Sequence, residues 1–65
     1  MAYPITNQKD LRCRFWIAYP QYDAIRRPGG QNAQLCDVRM AWCDFVESMR
    51  RNGMISEALA GRATL

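Results

Sequence analysis

Histidine is missing from this 65-residue chain, and lysine occurs once, at Lys9. Without histidine there is no His-based triad, no Cys–His pair and no imidazole ligand for a metal. Beside Cys13, Cys36 and Cys43 a fourth metal ligand would have to be a carboxylate. Cys36 and Cys43 stand two helical turns apart, which is neither a disulfide nor a zinc spacing, so no metal and no cofactor are expected. The odd cysteine number and the lack of an apolar run near the start predict reduced thiols and a cytoplasmic setting. No stretch approaches the ~20 apolar residues of a membrane span, so no membrane partner is expected. The phosphate-cradling patterns GxxxxGK[ST] and GxGxxG are absent, as is any block of like charge that would make a polybasic tail.

What is present is arginine. Nine cationic residues stand against six acidic ones, and every cation but Lys9 is an arginine. Arginine forks bind carboxylates and phosphates bidentately and stack on aromatic rings, so the excess points to an interface as much as to a solvated surface. Arg26-Arg27 and Arg50-Arg51 are the doublets, and Glu47 is placed to pair with Arg51 one helical turn on.

The chain reads as one all-α domain over residues 1–65, with three helices near 8–18, 35–51 and 56–62 and a long irregular first connection. The segment 35–53 is the clearest. Val38, Ala41, Trp42, Phe45, Val46 and Met49 fall on one side of a helix, with Arg39, Asp44, Glu47, Arg50 and Arg51 on the other. Asn32 and Asp37 are the candidate N-caps, and Asn52-Gly53 is the C-cap signal behind two terminal arginines. The first helix is expected from Gln8, behind an Asn7/Asp10 capping pair, to Ala18, where Pro20 ends it. Its inward face is Leu11, Phe15, Ala18 and Tyr19. Ser56 caps the last helix, whose inner side is Leu59 with Ala63 or Leu65, and whose alanines and Gly61 allow close packing on the long helix. In the 20–34 connection the prolines and glycines oppose helix, Tyr22 and Ile25 are expected on the core, and Arg26 to Gly30 form an exposed basic tip.

The first helix is apolar nearly all round, because Cys13, Trp16 and Ile17 project away from its core face, with Arg12 and Arg14 on the flanks. Two arrangements resolve this. Either the 20–34 connection folds back over Trp16 and Ile17, or the strip is exposed and meets another chain, with Trp16 as anchor and the arginines at its rim. In the second case a two-fold homodimer is expected, with Arg14 reaching Asp10 or Asp23 across it.

Residues 42–65, WCDFVESMRRNGMISEALAGRATL, resemble the ending of small proteins encoded by bacteriophages and plasmids, and PITNQKDLRCRFW resembles their beginning. That resemblance implies a mobile-element origin and a bacterial host cell, and carries over no site residues.

Catalysis is not expected. Cys13 between Arg12 and Arg14 is the one thiol with cationic neighbours, and Asp44 with Glu47 is the one close carboxylate pair; both read as ordinary helix surface. A helix-turn-helix is disfavoured because its recognition helix would offer Glu57, Ala58 and Ala60 to base edges. The leading expectation is a binding protein that occupies a surface of a bacterial host protein or complex through Arg12, Arg14, Trp16, Ile17, Arg26 and Arg27. The alternative is nucleic-acid binding, with Arg26, Arg27, Arg50 and Arg51 on phosphates.

Overall fold

The computed structural model describes residues 3–65, so the first two residues of the sequence lie outside the account that follows. Within that span there is no strand. Four helices appear: α1 (Gln8–Ala18), α2 (Pro20–Asp23), α3 (Cys36–Arg51) and α4 (Glu57–Arg62), with a 3-10 turn at Gln31–Ala33. The all-α class and the three longer helices agree with the reading of the sequence.

Local chemistry accounts for most of the boundaries. The Asn7 side chain accepts from the Asp10 amide at 2.9 Å while its own amide donates to the Asp10 carboxylate at 3.2 Å, closing both ends of a capping pair at the start of α1. Asp10 also places negative charge in the first turn, where the helix end is partially positive. At the end of α3, Gly53 adopts φ 73, its amide donates to the Arg50 carbonyl, and the Met54 amide donates to the Met49 carbonyl. That is the Schellman arrangement, and it needs a residue at ease in the left-handed region. Ser56 accepts from the Leu59 amide at 3.1 Å and so starts α4.

Three details of the helix ends and the first connection differ from expectation. Pro20 does end α1, but it also begins α2, because a residue without an N–H and with φ already near −65° suits the first position of a helix. The 20–34 connection therefore holds a helical turn at each end. Neither Asn32 nor Asp37 caps α3: Leu35 occupies the N-cap with no side-chain bond, Asn32 lies in the 3-10 turn and Asp37 inside the first helical turn. Ile25 stands out in solvent at 47% exposure, whereas Tyr22 packs on the core as expected.

The core is Ile5, Leu11, Phe15, Val38, Trp42, Phe45, Ile55 and Leu59. Phe15 sits at its centre, with the rings of Trp16, Tyr19, Trp42 and Phe45 at 4.9, 5.1, 5.3 and 5.5 Å, mostly edge to face. Such pairs add to the burial of the rings themselves, which matters in a domain with so little interior. Ala18, expected on the inward face of α1, is exposed. Gly61 likewise permits no close approach: a Cβ there would meet nothing within 4 Å, and α4 leaves a cleft beside α3.

Candidate functional site

The outer side of α1 is divided by the connection that follows it. Trp16 is half-buried, because the chain after α2 folds back and lays the Arg26 guanidinium over its ring at 5.1 Å from the centroid. Arg26 is held there from the other side by Asp23, whose carboxylate lies 3.1 Å from its Nε. Cys13 and Ile17 are left uncovered, Ile17 at 79% exposure. The folded-back connection holds for Trp16 and not for Ile17, which with Cys13 is left bare.

What holds the connection in place is Gln34, a residue the sequence did not single out. It is 6% exposed, and its side-chain amide grips the main chain of Arg27 in both directions. The Arg27 amide donates to Gln34 Oε1 at 2.9 Å, and Gln34 Nε2 donates to the Arg27 carbonyl at 2.7 Å. Between them Gly29 turns the chain at φ 110, with the 3-10 turn closing behind it through Ala33 to Gly30 and Gln34 to Gln31 amide–carbonyl bonds. A side chain at Gly29 would be strained by that φ and would also press on the Ala33 methyl, 3.2 Å away. The basic tip expected at 26–30 is exposed, as predicted, but it is a clamped loop.

A cavity of about 700 Å³ lies between this loop and α1. Arg12, Trp16, Arg26, Arg27, Pro28, Gly29, Gly30, Gln34 and Leu65 line it. Every charged side chain on its wall is cationic. Arg26 is the one already paired; Arg12 and Arg27 have no carboxylate within ion-pair distance among the described residues. The Arg12 Nε is shielded from solvent and makes no hydrogen bond within the protein.

Of the residues expected to bind a partner, the structure brings Arg12, Trp16, Arg26 and Arg27 together on one cavity and groups Ile17 with Arg14 in a second depression on the adjoining side of α1. Arg14 lines a shallow depression of about 540 Å³ with Asp10, Cys13, Ile17 and Met49. The other arginine doublet is differently placed. Arg50 donates to both oxygens of Glu47, through Nε at 3.2 Å and through its terminal nitrogen, and approaches Glu57 at 3.7 Å; Arg51 reaches Glu47 at 3.5 Å. These hydrogen bonds, Arg50's above all, hold the Glu47 carboxyl below its ordinary pKa and raise that of Arg50. Arg50 and Arg51 are therefore not joined to Arg26 and Arg27 in one unpaired basic face.

Among the described residues no group of three or more cysteine, aspartate and glutamate side chains is arranged to hold a metal ion, and the three thiols are free and exposed. No helix is long and apolar enough to cross a membrane. Comparison with protein-family models, with curated proteins and with solved structures gave no match to this chain.

Proposed function

We propose that this chain is a small protein-binding accessory protein of a phage or plasmid, acting by occupying a surface of a larger bacterial protein or complex and thereby inhibiting a host defence or regulatory factor. The observation that carries the reading is the edge of α1: a half-buried tryptophan flanked by arginines, two of them without partner charges, beside an isoleucine left 79% exposed. Tryptophan and arginine dominate the energetics of protein interfaces, and an exposed isoleucine next to them adds apolar area that a partner would remove from water. The nature of the partner rests on the resemblance of residues 4–16 and 42–65 to short proteins of mobile elements.

Nucleic-acid binding through Arg26, Arg27, Arg50 and Arg51 is less well supported, because intramolecular carboxylates already engage Arg26, Arg50 and Arg51. Four such contacts on duplex DNA would give a salt slope of about −3 to −4.

The test is affinity capture from bacterial lysate with the wild-type chain and with two surface variants, Ile17→Asp and Arg51→Glu. A specific protein should be retained by wild type and by Arg51→Glu and lost from Ile17→Asp. Recovery of nucleic acid in place of a protein, with the steep salt dependence above, would overturn the reading.

A further inference from the structure

We infer that the cavity between α1 and the clamped loop is a carboxylate site, filled by a glutamate or aspartate that the partner protein presents in an acidic segment. This rests on the protein-binding reading above and names the chemistry of the partner. The cavity gathers Arg12, Arg26 and Arg27 and has no acidic side chain on its wall. Two of those guanidinium groups lack any carboxylate among the described residues, and one N–H of Arg12 is withdrawn from solvent with nothing to receive it. The guanidinium nitrogens that line the cavity can make short, charge-assisted bonds to an entering oxyanion.

The site is also built in advance of any ligand. Gln34 fixes the main chain at Arg27, and Asp23 and Trp16 hold Arg26 from two sides. Less loop freedom is left to lose on binding than in an unclamped connection, which is how a small site gains affinity.

Carboxylate is favoured over the phosphates of a nucleic acid for two reasons. The basic charge is gathered in one open depression and does not run on as a track, since Arg50 and Arg51 are bound up with Glu47. Trp16 and Pro28 on the same wall are apolar and suit the methylene stem of an acidic side chain better than a polyanionic backbone.

The experiment follows the arginine Nε–Hε resonances of the ¹⁵N-labelled chain while a blocked tetraglutamate peptide, inorganic phosphate or a thymidine oligonucleotide is added in separate titrations. The peptide should move the Arg12 resonance downfield to saturation while that of Arg51 stays in place. Arg27→Gln, a substitution at an exposed side chain, should weaken the peptide by about tenfold, the effect of one charge-assisted contact. Three results would overturn the site: no saturable movement of Arg12 up to ~10 mM peptide, where even weak binding registers; equal movement of Arg12 and Arg51; or saturation by phosphate or the oligonucleotide at lower concentration than by the peptide. Failure of the two ideas can be told apart. If Arg27→Gln captures a lysate protein as well as wild type does, the carboxylate site is wrong and protein binding stands. If the peptide saturates Arg12 and no protein is captured, the site stands and the protein-binding reading is wrong.

Discussion

Replacing Gln34 by methionine removes both hydrogen bonds of the loop clamp while keeping a side chain of similar length and volume in its buried position. Each bond contributes about 0.5–1.5 kcal/mol net, so the pair is worth about 1–3 kcal/mol. Arg27 is exposed, and water re-solvates its main chain once the clamp is gone, which places the expected loss at about 1–2 kcal/mol. Against a total stability on the order of 3–10 kcal/mol for a chain of this length, that is a substantial fraction. The melting temperature, followed by far-ultraviolet circular dichroism, should fall by about 5–15 °C. Amide exchange at Arg27, slowed in the wild type by Gln34 Oε1, should accelerate, and the Arg26 guanidinium should spend less time over the Trp16 ring. A loss below ~0.5 kcal/mol, within the range of neutral surface changes, together with unchanged exchange at Arg27, would show that the loop is held by something other than Gln34.

Other consequences are open to measurement. Because hydrogen bonding to Arg50 lowers the Glu47 pKa in the folded chain, its contribution to stability is complete above the ordinary glutamate range and disappears as pH falls through the lowered value. Urea unfolding of wild type and Glu47→Gln should therefore differ near neutrality and converge in acid; a difference that grows on acidification would contradict the assignment. Ser56→Ala removes the acceptor for the Leu59 amide and should cost about 1 kcal/mol, with carbon chemical shifts showing loss of helix over 57–62. Gly53→Ala meets no neighbouring atom, so its cost is conformational only, about 1 kcal/mol for a left-handed alanine, and should appear as an earlier urea midpoint with an unchanged slope.

Helix ends were legible where chemistry marks them within a few residues. Asn7 with Asp10, Gly53 after two arginines, and Ser56 each declare a boundary locally, and each functions as its type predicts. The 20–34 connection was legible only at its tip. Pro20 was read as a stop, yet the same missing N–H that ends α1 begins α2, and the choice depends on how Tyr22 meets Tyr19 and the core. Gln34 carried no signal, since a glutamine in a polar loop is ordinary and its role exists only once Arg27 is brought back to it. The same holds for the arginines. Composition announced an interface, but which guanidinium groups are already paired is decided by carboxylates three, four and seven positions away in sequence, such as Asp23, Glu47 and Glu57. Residues 12–17 were singled out as a strip with two solutions; the division between covered Trp16 and bare Ile17 required the path of the loop.

The three free thiols supply the most direct test of the central claim, that the partner sits on the α1 edge. Cys13 lines the depression beside Ile17 and Arg14 on α1, whereas Cys36 and Cys43 line a separate depression with Met40 on the outward side of α3, and all are exposed. Alkylation rates of each cysteine, read by mass spectrometry for the chain alone and in complex with the protein it captures, locate the contact without altering a residue. The account predicts that binding slows the modification of Cys13 and leaves Cys36 and Cys43 reacting as in the free chain. Protection of Cys36 and Cys43 with Cys13 still reactive would contradict it.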